Sequence, residues 1–278
     1  MATPHPQHDQ NIAFIGGGNM ASAIIGGLLK RGLAASRIQV VEPYAEQRAR
    51  LTEQFHVAVH ASAGASLEAA EMVVWAVKPQ TFREAAEQSR AHSGKALHLS
   101  IAAGIRSDTI AGWLGTERIV RAMPYTPALV GLGQTALFAR PAASADDRQA
   151  VERVIQTTGD FLWLAQEELL DAVTALSGSG PAYVFYFIEA MIEAGAEMGL
   201  SPEQARQLAV GTFVGAATLA RDASEPPATL RERVTSKGGT THAALVSMEK
   251  SGVKARFMRA IHAARKRASD LGDEFGSR

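Results

Sequence analysis

The sequence predicts an α/β protein of two parts, a sheet-based domain followed by an all-helical one. Three observations carry this. A short apolar run, Ile12 to Ile15, leads directly into three glycines and then into a helical pattern. Strand-like apolar runs alternate with helical segments as far as about residue 165. Beyond that point no strand-like run remains, and long helical periodicities take over. The expected organisation is a disordered tail over residues 1–10, a first domain over 11–165 and a second over 166–278.

The opening stretch, NIAFIGGGNMASAIIGG, sets the first domain. Ile12 to Ile15 reads as a buried strand, and Met20, Ile24, Ile25 and Leu28 line one face of the helix that follows. The glycines follow G-x-G-x-x-A spacing, with Gly16, Gly18 and Ala21 at the three positions. Gly16 permits a tight strand-to-helix turn. Gly18 lets backbone approach a pyrophosphate, and Ala21 lets helix and strand pack closely. Phosphates would then meet free N–H groups at the positive end of the helix. A ligand-free glycine turn is the plainer alternative, but the strand before and the helix after favour a Rossmann-type nucleotide site.

Ile38 to Val41 is a second strand, ending at Glu42. A nicotinamide-dinucleotide fold places an acidic residue about 20 residues past the glycines, on the adenosine ribose hydroxyls. Glu42 fits that role, and on spacing alone a solvated charge at a strand end fits as well. Ala45 to Gln54 returns as a helix, and Val57 to Val59 is a short strand. The continuous apolar run Met72 to Val77 reads as a parallel strand buried on both faces, stopped by Lys78 and Pro79. Leu97 to Ile101 is another strand, closed by Ala102, Ala103 and Gly104, and Ile119 to Met123 continues the series. Gln134 to Ala139 and Phe161 to Leu164 finish the sheet, with a helix over Ala145 to Thr157 between them. Such alternation implies a parallel sheet whose ligands lie beyond the carboxyl ends of the strands.

In the second domain, Pro181 to Met198 is a long helix, capped by Ser179 and ended by Gly199. Ser201 and Pro202 start another that runs to about Asp222; two more follow, near Thr241 to Lys250 and Val253 to Leu271. The first two carry small residues, Ala190, Ala194, Gly195, Gly211, Gly215 and Ala216, within apolar surface. These helices could pack inside one subunit. So much apolar helix surface in a small domain instead points to burial against a second chain.

Bulk composition narrows the function. With 28 basic and 28 acidic residues the formal net charge is zero, giving no electrostatic case for nucleic acid or an anionic membrane. There is no cysteine, hence no disulfide, thiolate nucleophile or cysteine metal site. No apolar run approaches the ~20 residues of a spanning helix. The first ten residues lack the apolar core of a secretory signal, and a cytoplasmic location is expected. The eight histidines include no H-E-x-x-H, and no G-x-S-x-G elbow is present.

Two polar glycine-rich stretches punctuate the helical half, Leu176 to Tyr183 (LSGSGPAY) and Val234 to His242 (VTSKGGTTH). Each precedes a helix and so offers free N–H groups to a carboxylate or phosphate; each could also be a plain cap and turn. His242 and Lys237 are candidates for an acid and a carboxylate-attracting cation, or for ordinary structural and solvated roles.

The chain resembles the pyrroline-5-carboxylate reductase family over nearly its whole length from Ile12. Four motifs carry the resemblance: FIGGGNMA (Phe14 to Ala21), AVKPQ (Ala76 to Gln80), ALSGSGPAY (Ala175 to Tyr183) and VTSKGGTTHAALVSMEK (Val234 to Lys250). It implies an NAD(P)H-dependent reduction of the cyclic imine 1-pyrroline-5-carboxylate to L-proline, and helical domains that interlock as a homodimer, with decamers built from such dimers. Carried over by matching position, the Thr241 hydroxyl contacts the ring nitrogen, and backbone around Gly239, Thr240 and Thr241 holds the carboxylate. Glu167 and Thr174 line the approach. The cofactor lies on Ile15, Gly16, Gly17, Gly18, Asn19, Met20, Ala21, Glu42, Ala76, Val77, Lys78, Pro79, Ile101, Ala102 and Ala103. A threonine hydroxyl is a poor acid, so orientation of the ring suits Thr241 better than proton donation. Glu42 favours NADH over NADPH, because a carboxylate accepts from ribose hydroxyls and repels a 2′-phosphate. No metal is expected. In two places the chain departs from the family: Tyr125 stands for the asparagine of M-P-N-T-P, and Ala63 for an asparagine before the fourth strand. Both lie on the cofactor side.

Two rival functions share the plan. Another small-acid reductase would place a catalytic lysine on the helix after the first domain, and Leu176 to Tyr183 has none. A non-catalytic dinucleotide-binding regulator would have no use for the intact Thr241 loop.

Overall fold

The computed structural model describes residues 10–276, so the tail expected over residues 1–10 lies outside the described residues except for Gln10. The chain divides into two compact units, residues 1–178 with 264–278, and residues 179–263.

The first unit is built on an eight-stranded sheet. In chain order it contains β1 (Ile12–Ile15), α1 (Asn19–Lys30), β2 (Ile38–Val41), α2 (Ala45–Phe55), β3 (Ala58–His60), β4 (Met72–Trp75), α3 (Pro79–Ser93), β5 (Leu97–Ser100), α4 (Ser107–Leu114), β6 (Ile119–Met123), β7 (Gly133–Ala139), α5 (Ala145–Ile155), β8 (Gly159–Trp163) and α6 (Leu169–Val173). The strands lie in the order β3-β2-β1-β4-β5-β6-β7-β8, so the direction of winding reverses between β1 and β4. Neighbours are parallel from β3 through β6, and again between β7 and β8. The pair β6–β7 is antiparallel, which departs from the all-parallel expectation. The link from Met123 to Gly133 is too short for a crossover and turns back on itself through a 3-10 segment, Thr126–Val130.

Both faces of the sheet are covered, which is why its strands read as unbroken apolar runs. In β1, Ile12 and Phe14 face one core, shared with Ile24, Ile25 and Leu28 of α1 and Val151 and Val154 of α5. Ala13 and Ile15 face the other, with Phe82 of α3, Ile110 of α4 and Phe275. Helices α3 and α4 escape a reading by apolar periodicity. Their buried faces are interrupted by Ser89, Ser93 and Ser107, so the apolar stripe is too sparse to stand out. His98 of β5 is fully buried, its Nδ1 accepting the Trp75 indole N–H at 3.0 Å. Burial pulls its pKa down to about 4, so it is a neutral core residue.

The second unit has no strand among its described residues. It comprises α7 (Gly180–Glu197), α8 (Pro202–Asp222), α9 (Pro227–Arg233), α10 (Thr240–Lys250) and the first part of α11 (Val253–Gly276). Ser201 caps α8 with a reciprocal capping box to Gln204, and Gly199 at φ +95° makes the turn from α7. The predicted cap on α7 is absent: the Ser179 side chain accepts no cap bond. A π-helical turn, Thr174–Gly178, runs almost directly into α7, and Ser179 itself has helical angles. The stretch Leu176 to Tyr183 is therefore helical on either side of Ser179, not an open helix start.

Gly195 of α7 meets α8 closely, where an added Cβ would lie 3.0 Å from Ala205 Cβ. Tyr183, Phe187 and Phe257 pack edge to face, with centroids 5.6 and 5.4 Å apart. Yet only Gly195, Ala205 and Ala209 are buried among the described residues of this unit. Phe185, Tyr186, Met191, Leu208, Val214 and Leu219 are exposed. Gly211 and Gly215, singled out by sequence with Gly195, face open space.

Candidate active site

The strand register assembles the predicted cofactor residues. Ile15 pairs with Val41 on one side and Trp75 on the other, and Trp75 pairs with Ser100. The residues that follow, Gly16, Glu42, Ala76 and Ile101, therefore leave the sheet side by side. The ladder continues one step past the strands, through Gly16 N–H to Val41 C=O (2.8 Å), Ala76 N–H to Ile15 C=O (2.8 Å) and Ile101 N–H to Trp75 C=O (3.1 Å). All fifteen predicted cofactor residues lie on the four segments leaving these strand ends, at the point where the winding reverses.

The three glycines meet different constraints. Gly16 has φ +92°, and an added Cβ would lie 2.7 Å from the Ala76 carbonyl oxygen, so both backbone angle and packing demand glycine. At Gly17 a Cβ would meet Leu51 at 2.4 Å. Gly18 is different. Its angles, φ −68° and ψ −171°, suit any residue, and a Cβ there would meet nothing within 4 Å. Neither conformation nor protein packing accounts for glycine at this position, which leaves room for the close approach of a ligand. Gly18 is also the N-cap of α1 and supplies no side-chain cap, so first-turn N–H groups stay open to an anion. Ala21 is fully buried, as the helix-to-strand contact requires. These residues fit a dinucleotide pyrophosphate.

Glu42 ends β2 as predicted, but its carboxylate is turned under the glycine turn and only 5% of the residue is exposed. One oxygen accepts the Gly17 N–H (2.9 Å) and the other the Tyr44 N–H (3.0 Å). The helix after β2 adds two further residues, of which sequence reasoning missed Gln47. Gln47 donates to the Gly17 carbonyl, and Arg48 donates to the carbonyls of Glu42 (3.1 Å) and Pro43 (2.6 Å). Lys78 is the N-cap of α3 and Pro79 its first residue. Tyr125 sits just past β6; its hydroxyl donates to the Leu132 carbonyl at 3.4 Å, and burial pushes its pKa up.

Glu167 and Thr174 belong to the first unit with the cofactor segments, whereas Gly239, Thr240 and Thr241 belong to the second. The Thr174 hydroxyl donates to the Leu170 carbonyl (2.8 Å) within the helix. The Glu167 carboxylate accepts from Arg121 and from the backbone and hydroxyl of Ser107. Arg121 had a legible signal, a charge inside the apolar strand IVRAM. Nearby, burial pushes the Asp171 carboxyl above its usual range, against the pull of Arg106, Arg121 and Arg265.

In the second unit, Gly238 turns the chain at φ +75°, and Gly239 is the N-cap of α10 without a side-chain cap. The Gly239 N–H is used internally, donating to the Ser236 carbonyl at 3.0 Å. The open donors of this loop are therefore the first-turn N–H groups from Thr240 onward, the Thr241 N–H among them. Thr241 is half-buried. On the same helix His242, Leu245, Val246 and Glu249 line a pocket of about 230 Å³ with Arg231, Glu232 and Thr235 of α9 and its end. Among the described residues no cluster of His, Asp or Glu could hold a metal ion, and no helix is long and apolar enough to cross a membrane.

Comparison with known proteins agrees with this layout. Residues 167–271 match the family model described as pyrroline-5-carboxylate reductase dimerisation, and residues 11–104 match that of NADP oxidoreductase, coenzyme F420-dependent. The pyrroline-5-carboxylate reductase of Pseudomonas aeruginosa is 41% identical over 99% of this chain and 100% of its own length. Among solved structures, a pyrroline-5-carboxylate reductase from Coxiella burnetii is 36% identical with TM-score 0.87, covering 94% of this chain and 98% of the other. The pyrroline carboxylate reductase of Plasmodium falciparum, solved with NADP bound, is 27% identical with TM-score 0.86, covering 96% and 100%.

The open space at Gly18 yields a direct test. Gly18→Val should keep stability within about 0.5 kcal/mol, as at an unconstrained surface site, and weaken reduced dinucleotide about tenfold or more by blocking the pyrophosphate. Thermal melting and a cofactor titration measure both; unchanged affinity would place the phosphates elsewhere.

Proposed function

The chain belongs to the pyrroline-5-carboxylate reductase family, and from that premise we propose how its own residues share the work. It is an NAD(P)H-dependent oxidoreductase that reduces 1-pyrroline-5-carboxylate to L-proline, the last step of proline biosynthesis. The nicotinamide, when bound, supplies the hydride for the imine carbon. A protonated imine is already electrophilic, so the protein has mainly to orient and hold its reactants. That fits a site without a strong acid–base pair.

In this reading the second unit holds the substrate. The open N–H groups of Thr240 and Thr241, at the start of α10, take the ring carboxylate, and Gly239 sets the turn that aims them. The Thr241 hydroxyl orients the ring nitrogen. Glu167 and Thr174 form the wall of the approach without bonding the ring, since their polar atoms already have protein partners. The first unit holds the dinucleotide on Ile15 to Ala21, Glu42, Ala76 to Pro79 and Ile101 to Ala103. The observation that most supports this half is the unexplained glycine at position 18.

Between the two cofactors we favour NADH. The buried Glu42 carboxylate spends one lone pair per oxygen on Gly17 and Tyr44, leaving acceptor capacity for ribose hydroxyls. In this reading its negative charge disfavours the 2′-phosphate of NADPH. The helical unit, with three small buried residues and a row of exposed apolar ones, supports a homodimer as the minimal assembly. Decamers of such dimers and a cytoplasmic location complete the proposal.

Three outcomes are expected. Oxidation of reduced cofactor should follow addition of pyrroline-5-carboxylate, and Thr241→Ala should lower kcat by roughly a hundredfold, as loss of alignment does, with cofactor binding nearly intact; wild-type turnover would remove Thr241 from the mechanism. In steady-state kinetics kcat/KM should be higher with NADH than NADPH, and Glu42→Ser should narrow the gap mainly by improving NADPH. A clear NADPH preference in the unmutated protein would overturn the role of Glu42. Light scattering should find at least a dimer, and a compact active monomer would contradict the reading of the helical faces.

A further inference from the structure

The Glu167 carboxylate is the centre of a half-buried network inside the first unit. One oxygen accepts from Arg121 Nη1 at 2.7 Å and from the Ser107 backbone N–H at 2.6 Å. The other accepts the Ser107 hydroxyl at 2.6 Å. Ser107 is 1% exposed, and its hydroxyl oxygen in turn accepts from Arg140 Nη1 at 3.1 Å. That leaves the Ser107 proton one direction, toward Glu167. The Arg121 and Glu167 side chains are 8% and 18% exposed, so the ion pair is largely withdrawn from solvent.

Ser107 is the first residue of α4, and the residue before it, Arg106, supplies no side-chain cap. Glu167, sixty residues later in sequence, does the work of the cap. It binds the leading N–H and sets a negative charge at the positive end of the helix. What this holds still is the turn Ile101 to Arg106. At its start, Ile101 is bonded to Trp75 by the extended ladder. Within it, Gly104 takes φ +73° against Leu271, and Ile105 is fully buried. At its end, Ser107 is gripped by Glu167.

We propose that Glu167 is a positioning residue for the cofactor, setting the Ile101–Ala102–Ala103 turn through Ser107, with Arg121 fixing the carboxylate from β6. This rests on the reading of that turn as dinucleotide-binding. It gives Glu167 an effect on the cofactor that a residue lining only the substrate's approach would not have. Ser107 becomes part of the same device, through its bonds to Glu167.

The test is a titration of the cofactor-free protein with NADH, followed by fluorescence, beside the KM for the imine and a thermal melt. Glu167→Gln keeps the shape but removes the charge, and should weaken NADH on the order of tenfold, the scale of a small misplacement. Ser107→Ala removes only the hydroxyl and should weaken NADH in the same direction by about threefold, with its imine KM unchanged. The double variant should be no weaker than Glu167→Gln alone, because one residue acts through the other. Asp147→Asn, which loosens the Arg118–Asp147 pair outside the site, serves as the control for mere destabilisation and should leave NADH affinity unchanged. The proposal falls if Ser107→Ala leaves NADH affinity untouched, if Glu167→Gln raises only the imine KM, or if Asp147→Asn weakens NADH equally. Should Glu167→Gln fail to fold, Ser107→Ala still decides, since it leaves every charge paired. The titration needs no turnover, so its outcome is separate from that of the imine-reduction assay.

Discussion

The close approach of Gly16 to the carbonyl of Ala76 is the constraint on which the first unit turns. With an added Cβ only 2.7 Å from that oxygen, any other side chain would push β1 and β4 apart where the winding of the sheet reverses. Because the two strands stay in register to their last residues, the segments after β1, β2, β4 and β5 emerge together. Every predicted cofactor contact lies on one of them. The positive end of α1, the cap of α3 and the turn before α4 are consequences of that alignment.

The charged groups around this edge serve the backbone first. Glu42 ties the glycine turn to the start of the next loop, Arg48 covers two carbonyls beside it, and Glu167 caps a helix from a distant part of the chain. Buried carboxylates of this kind are tolerated because each oxygen has a donor. They also hold the backbone of this edge in place, which under the proposed function leaves less ordering for binding to accomplish.

The second unit obeys a different constraint, the shortage of anything to bury. Its helices are well made locally, with the Ser201 capping box and the αL glycine before it. Within one chain, however, they enclose only Gly195, Ala205 and Ala209. Exposed Phe185, Tyr186, Leu208 and Val214 show that the apolar residues were not placed for an internal core. Such a pattern supports the proposed dimer, and residues 167–271 match a family model of dimerisation.

Much of this was legible in the sequence. The strands of the first unit stood out because burial on both faces makes unbroken apolar runs, and the turn at Gly16 to Ala21 carried its own spacing. The capped helix from Pro202 and the motif leading into α10 were equally plain. Short-range chemistry of this kind, φ preferences, caps and apolar periodicity, is written residue by residue. Other features required the tertiary structure. The antiparallel return of β7 depends on the length of a link, and the inward turn of Glu42 on what packs beside Gly17. The joining of Glu167 to Ser107 and Arg121 spans sixty and forty-six positions in the chain. No local pattern encodes such a pairing, because its partners are selected by strand order and register, and those are set only when the whole sheet closes around its core.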